Sequence, residues 1–148
     1  MTEKKQFDPQ MHSAEHILNQ TMNRFFQCGR CFSAHIERKK SKCDYHFDRP
    51  LTDEEKERIE KEVNRIIGDN LPVSERFISF DAAAKQFDLS RLPTNAGDRL
   101  RIVDIGTYDS CPCIGPHVER TGDIGGFRIT SSGFENGVLR VRFKLKRT

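Results

Sequence analysis

Residues 8–29, DPQMHSAEHILNQTMNRFFQCG, contain the pattern that decides how the fold begins. Asp8 followed by Pro9 is typical of a helix N-terminus, because Asp caps free N–H groups and Pro at the first helical position loses no hydrogen bond. Gly29 is predicted to end the helix. Apolar residues recur three or four positions apart between these limits, which predicts one stripe facing a core: Met11, Ala14, Leu18, Met22 and Phe25.

The rest of the chain shows the patterns of several strands and a second long helix. Thr52 and Glu55 form a capping-box pattern at the start of a charged helix over 53–67. A short helical stretch is predicted at 81–87 and a loop at 89–99. Period-two alternation and β-forming residues predict strands at 31–37, 42–48, 73–80, 100–106, 126–131 and 138–145. Two long helices among hairpin-like strands indicate an α+β fold, with helices packed on an antiparallel or mixed sheet.

Length, charge and cysteine content narrow the class of protein. The 148 residues contain no internal repeat or low-complexity linker, which predicts one domain over 1–148. A net charge of +3 is compatible with nucleic-acid binding but does not by itself indicate it. The chain lacks the apolar run of a signal peptide or membrane span, so the expected location is cytoplasmic. Five cysteines in a reducing compartment favour metal binding or burial over disulfides.

Two short motifs carry potential metal ligands. His12-x3-His16 places two imidazoles one helical turn apart, and Cys113-x3-His117 spans a tight turn at Gly115-Pro116. Each motif alone has an ordinary explanation, either as helix histidines or as a buried thiol beside a loop histidine. Together they supply the four nitrogen and sulfur donors of one tetrahedral zinc ion.

Two other metal or redox arrangements fit parts of the same sequence. His12-Ser13-Ala14-Glu15-His16 matches the H-x-x-E-H pattern of inverted zinc metalloproteases, but that pattern needs a downstream carboxylate ligand and leaves Cys113 unexplained. Cys28-x-x-Cys31 has the spacing of a redox dithiol or of half a zinc ribbon, which Cys111 and Cys113 would complete. A helix C-terminus raises a thiol pKa, which argues against redox use. We therefore expect structural roles for Cys28, Cys31 and Cys43.

The two motifs, read with Val118 and the run from Thr121 to Gly125 (TGDIG), resemble one family. This family is the alanyl-tRNA editing domain, or second additional domain of alanyl- and threonyl-tRNA synthetases, in its small free-standing form. The likeness extends over nearly the whole chain. It implies a two-layer fold of helices on a sheet, with one zinc ion held by His12, His16, Cys113 and His117.

The resemblance also implies an activity and its partner. The expected activity is zinc-dependent hydrolysis, in trans, of the ester that joins serine or glycine to the acceptor end of alanine tRNA. Such a second site is needed because a pocket for alanine rejects glycine and serine poorly by size or by one hydroxyl. Hydrolysis of a free aminoacyl ester is a further alternative. No residue is assigned as the catalytic acid or base.

The substrate-facing residues are expected around the second motif. The family reads Cys-Gly-Gly-Thr-His where this chain has Cys113-Ile114-Gly115-Pro116-His117. This difference leaves open a catalytically altered, zinc-containing module that binds tRNA or a protein. The residues expected to bind substrate are Ile114, Gly115, Pro116, Thr121, Gly122 and Asp123. Those expected to contact tRNA are Lys39, Lys40, Lys42, Arg140, Arg142 and Lys144.

Overall fold

The computed structural model describes residues 8–87 and 99–146. The helices in these ranges are α1 (Pro9–Phe26), α2 (Asp53–Gly68) and α3 (Phe80–Gln86), with a 3-10 helix at Thr121–Ile124. The strands are β1 (Ser33–Ile36), β2 (Ser41–His46), β3 (Val73–Ser79), β4 (Arg99–Ile105), β5 (Asp109–Pro112), β6 (Gly126–Glu135) and β7 (Val138–Lys146). The α+β class is confirmed. The predicted loop lies outside the described residues, apart from Arg99, which begins β4.

The strands form two sheets, where the sequence pattern predicted one. One sheet has the order β1-β2-β7-β6 and the other β3-β4-β5, with every neighbouring pair antiparallel. Strand β5 was not predicted. Its sequence, Asp-Ser-Cys-Pro, contains residues that are depleted in strands, and Pro112 is tolerated because β5 is an edge strand.

Helix α1 begins as predicted and ends earlier. The Asp8 carboxylate accepts a hydrogen bond from the Met11 N–H at 3.0 Å, and Pro9 is the first helical residue. The helix stops at Phe26, where Gln27 takes a left-handed conformation with φ of 57° and donates its N–H to Asn23 O. Gly29, the predicted stop, lies two residues beyond that cap. The Gly29 N–H donates to the Asn23 side chain, so residues 27–29 together form the end of the helix.

Helix α2 has the predicted capping box and also covers a sheet edge. The Thr52 hydroxyl accepts from the Glu55 N–H, and the Glu55 carboxylate accepts from the Thr52 N–H. Further along, the Asn64 amide bonds both the N–H and the carbonyl of Phe127 on β6. Helix side chains thereby satisfy backbone groups on an edge strand, which blocks pairing with another chain.

The core lies between the helices and one face of the four-stranded sheet. Leu139, Val141 and Phe143 of β7 are fully buried, while the alternate residues Arg142 and Lys144 are exposed. The buried residues belong to one cluster that also contains residues from both long helices. Helices α1 and α2 therefore pack on this face of the sheet. The alternation of buried and exposed residues along β7 is the one that the period-two pattern predicts. None of the described helices has the length and apolar character required to cross a membrane.

Candidate metal centre

Helix α1 supplies two imidazoles to a buried site. His12 and His16 are 5 % and 4 % exposed, and their ring centroids are 4.9 Å apart. The same turn of helix contributes Ser13, whose hydroxyl points towards the segment after β5. The four-residue spacing therefore places both rings on one side of the helix, as predicted.

The segment after β5 is held against α1 by several hydrogen bonds. Arg101 of β4 donates to the carbonyls of Cys113 and Gly115, at 3.1 and 2.7 Å. The Ser13 hydroxyl accepts from the Val118 N–H at 3.2 Å and lies 2.8 Å from His117 Nδ1. These contacts bring the second motif to the first, although about a hundred residues separate them.

The four predicted ligand side chains converge. Donor atoms of His12, His16, Cys113 and His117 all lie within 4.8 Å of one another. Cys113 Sγ is 3.3 Å from His12 Nε2 and 3.5 Å from His117 Nε2. Two donors on a tetrahedral zinc, with bonds of about 2.0 Å to nitrogen and 2.3 Å to sulfur, lie about 3.5 Å apart. The residues present therefore fit a zinc ion in donor chemistry and in spacing.

The outward-facing nitrogens of two imidazoles are oriented by hydrogen bonds. His12 Nδ1 donates to the Pro116 carbonyl at 3.0 Å, which leaves Nε2 unprotonated and facing Cys113. His117 Nδ1 contacts the Ser13 hydroxyl, and its Nε2 likewise faces the thiol. Partners of this kind fix the tautomer and ring orientation of metal-binding histidines.

Burial sets the protonation of the site. It lowers the pKa of His12 to about 4 and that of His117 to about 2, and it also lowers the pKa of His16. The rings are therefore neutral at pH 7, the form that binds a metal. Burial raises the pKa of the Cys113 thiol, so a cation that binds there must displace its proton.

A buried carboxylate stands behind His16. Asp109 is 3 % exposed and accepts two hydrogen bonds from Arg30, at 2.8 and 3.2 Å. Burial disfavours its charged form, but His16 and Arg30 hold its pKa well below the usual range. His16 Nδ1 lies 3.6 Å from this carboxylate and has no hydrogen-bond partner among the described residues. A carboxylate behind a metal-binding imidazole is a usual partner for orienting that ring, and Asp109 is placed to do this for His16.

These supporting residues were not predicted from the sequence. Asp109 lies in the strand that was not predicted, and Ser13, Arg30 and Arg101 are residue types common on any surface. The only available signal was the position of Ser13 next to a ligand, which is weak by itself. Arg30 bonds a residue 79 positions away and Ser13 bonds one 104 positions away, and no local pattern predicts such contacts.

The residues expected to bind substrate have different environments. Ile114 is 71 % exposed beside Cys113, and Pro116 is also exposed. Gly115 is buried, with its carbonyl bonded to Arg101. Ile114 and Pro116 therefore present their side chains to solvent next to the donor atoms, and their role in substrate binding stays a prediction.

Thr121, Gly122 and Asp123 join this segment to the end of α2. The buried Thr121 hydroxyl donates to Ile66 O and accepts from the Leu71 N–H, both at 2.8 Å. The Gly122 N–H donates to Asn70 Oδ1 at 3.1 Å, and a Cβ at Gly122 would lie 2.4 Å from that oxygen, so a larger residue would displace the Asn70 side chain. Asp123 O accepts from the Gln10 side chain. These contacts are structural, and substrate binding by the three residues stays a prediction.

The predicted basic surface lies on the solvent side of the four-stranded sheet. Lys39 and Lys40 are exposed in the turn between β1 and β2. Lys42 is half-buried on β2, opposite Arg142 of β7, and Lys144 is exposed. Arg140 is paired with Asp44 at 2.8 Å. The metal donors instead lie between α1 and the segment after β5.

The alternative four-cysteine site is not formed. Cys113 lies among histidines, and Cys31 lies with Glu15 and Cys43. Cys28 Sγ instead contacts the carbonyls of Met22 and Gly29. The H-x-x-E-H alternative is also weakened, because Cys113 and His117 occupy the place next to the histidines where a downstream carboxylate would be required.

Comparison with known families finds one match. The model of the threonyl and alanyl tRNA synthetase second additional domain matches residues 100–142. This range contains Cys113 and His117, together with β5 and most of β4 and of the β6–β7 hairpin.

Comparison with curated proteins finds alanine–tRNA ligases. The chain is 33 % identical over 138 residues to the ligase of Paraburkholderia xenovorans (strain LB400) and 36 % identical over 145 residues to that of Gluconobacter oxydans (strain 621H). It is 35 % identical over 138 residues to the ligase of Methylobacillus flagellatus. Each match covers 88 % of this chain but only 15 % or 16 % of the ligase.

Proposed function

Because the chain belongs to the family of threonyl and alanyl tRNA synthetase second additional domains, we propose that it is a zinc-dependent aminoacyl-tRNA deacylase. Its proposed reaction is hydrolysis, in trans, of the ester that joins serine or glycine to the acceptor end of alanine tRNA. The proposal includes residues 1–148 acting as one domain in the cytoplasm. The observation that carries it is that the two motifs, His12-x3-His16 and Cys113-x3-His117, converge. Their donor atoms have the spacing of the ligands of one tetrahedral zinc ion.

The site residues support ester chemistry by holding and shaping the centre. A bound zinc would supply a Lewis acid towards the ester carbonyl or its attacking water. His12, His16, Cys113 and His117 would hold that ion, and one of the four would have to leave it before the ion could act on the ester directly. Ile114 and Pro116, exposed beside the donors, are placed to contact the aminoacyl end. Their apolar surfaces would exclude water from part of the ester.

The test is deacylation of alanine tRNA charged with serine, glycine or alanine. We expect the zinc-loaded protein to hydrolyse the first two esters and spare the third. Loss of a contact that only orients a metal ligand costs roughly 10–100-fold in metal affinity or activity. Cys113→Ala removes a ligand itself, so it should reduce the rate by more than that. Cys28→Ala is the matched control, because this thiol lies outside both side-chain clusters. Unchanged hydrolysis by the Cys113→Ala protein would reject the proposal.

The exposed Ile114 favours a second candidate function. Ile114 and Pro116, both exposed beside the site, stand where the family has glycine and threonine, which removes a close backbone approach, an N–H and a hydroxyl. The chain can therefore instead be a zinc-containing module that binds tRNA or a protein. This candidate predicts tRNA binding without turnover by zinc-loaded protein. In either case, replacing Arg142 and Lys144 with Ala should weaken tRNA binding and its dependence on salt.

A further inference from the structure

We propose that Glu15, Cys31 and Cys43 form a second metal site, which takes a thiophilic divalent cation such as zinc or cadmium. This site is next to the His12–His117 cluster but shares no donor with it. The proposal does not depend on hydrolysis of any ester. It therefore stands or falls separately from the deacylase function.

The three donors have the spacing of a tetrahedral site. One carboxylate oxygen of Glu15 and the two sulfur atoms all lie within 4.8 Å of one another. Cys31 Sγ is 3.6 Å from Glu15 Oε2. Sulfur and oxygen on one tetrahedral zinc, with bonds of about 2.3 and 2.0 Å, lie about 3.5 Å apart. The spacing matches that of the first cluster, where sulfur–nitrogen distances are 3.3 and 3.5 Å.

The donors come from elements that are well fixed. Cys43 lies on β2, between its partners Ala34 of β1 and Val141 of β7. Cys31 donates its N–H to Asn19 Oδ1 of α1 at 3.2 Å, and the Tyr45 hydroxyl donates to the same oxygen at 2.8 Å. Glu15 is on α1, one turn before Asn19. Preorganised donors of this kind reduce the cost of assembling a metal site.

Donor chemistry selects the class of cation. Two thiolates and one carboxylate favour soft or borderline ions and disfavour magnesium and calcium, which prefer oxygen. Cys31 and Cys43 are 1 % and 0 % exposed, so a bound ion would be shielded from water on the sulfur side. The Glu15 side chain is 13 % exposed and provides the path of entry.

Glu15 also links the two clusters. Its Oε2 faces Cys31, while its Oε1 lies 3.9 Å from His12 Nε2. Three protein donors leave one tetrahedral position for water or a substrate group, unlike the four donors of the first site. A cation here would therefore keep an open position on the side of the first cluster.

The test is metal stoichiometry of the whole chain, kept reduced throughout. Metal-free protein is loaded with zinc, desalted and analysed for zinc per chain, and the loading is repeated with cadmium to record thiolate-to-metal absorption. We expect two ions in the wild type and one in Cys31→Ser/Cys43→Ser, with loss of most cadmium–thiolate absorption. Cys28→Ser should still bind two ions and is the matched control for removal of a thiol.

A second variant guards against misfolding of the buried double variant. Glu15→Gln alters a partly exposed side chain, and circular dichroism should show a native fold. We expect its second ion to bind at least tenfold more weakly, with the first retained. One ion in the wild type that the double-serine protein retains would overturn the proposal, as would two ions in the double-serine protein. A Cys31–Cys43 disulfide that persists under reducing conditions, detected by mass spectrometry, would also overturn it.

Discussion

Ser13 shows how one small side chain can orient the residues of a candidate metal site. It lies between the two histidines of α1, yet its hydroxyl contacts the other motif, at His117 Nδ1 and the Val118 N–H. It is fully buried, so these bonds are shielded from water. The residue therefore links two parts of the site that are 104 positions apart.

Replacing Ser13 with Ala should weaken zinc binding at the first site about 10–100-fold, since the His117 ring loses the partner that orients it. Competition with a chelator of known affinity measures this change. Ser74→Ala, at an exposed position on β3, is the control and should leave the affinity unaltered. Equal affinity in the Ser13→Ala and wild-type proteins would mean that the hydroxyl has no orienting role.

At the scale of elements, the start of α2 is stabilised locally. The capping box of Thr52 and Glu55 is joined by Arg49, which forms two hydrogen bonds of 2.8 Å to the Glu55 carboxylate. The bonds from Arg49 and from the Thr52 backbone lower the pKa of Glu55 to about 2. The charged carboxylate is therefore the form that stabilises the helix.

Thr52→Ala should lower the free energy of unfolding at pH 7 by about 1 kcal/mol, the usual cost of losing an N-cap. Because the folded-state pKa of Glu55 is depressed, its contribution is present above pH 4.5 and is lost as the pH falls towards 2. Urea unfolding should thus show a wild-type advantage over Glu55→Gln that shrinks across this range. Glu54→Gln, one position earlier, is the control for removing a charge from the first turn.

At the scale of the whole molecule, the His12–His117 cluster joins distant parts of the chain. His12 on α1 is 101 positions from Cys113, which lies in the segment after β5. A cation that binds only the folded arrangement stabilises it by mass action. We therefore expect metal binding to raise the free energy of unfolding of the whole chain.

Zinc at about 100 times its dissociation constant should add about 2.7 kcal/mol to the free energy of unfolding, which corresponds to roughly 5–10 °C in Tm for a chain of this size. Differential scanning calorimetry with zinc and with a chelator measures this shift. Cys113→Ser should lose the larger part of it, while Cys28→Ser keeps it. A shift of the same size in both variants would place the stabilising ion elsewhere.

Much of the local structure could be predicted from the sequence. The α1 cap at Asp8, the α2 capping box and the alternation in β7 depend on residues only a few positions apart, and all three are confirmed. The end of α1 was less predictable. A left-handed cap is usually glycine, and here Gln27 adopts it instead.

The sequence by itself determined the α+β class and the residues that can act as metal donors, because periodicity and motif spacing are local properties of the chain. Only the tertiary structure decided that His12 and Cys113 meet, that Asp109 lies behind His16, and that the strands divide into two sheets. It alone brought Glu15 to Cys31 and Cys43. These contacts depend on strand pairing and helix packing between distant segments, which no local pattern specifies.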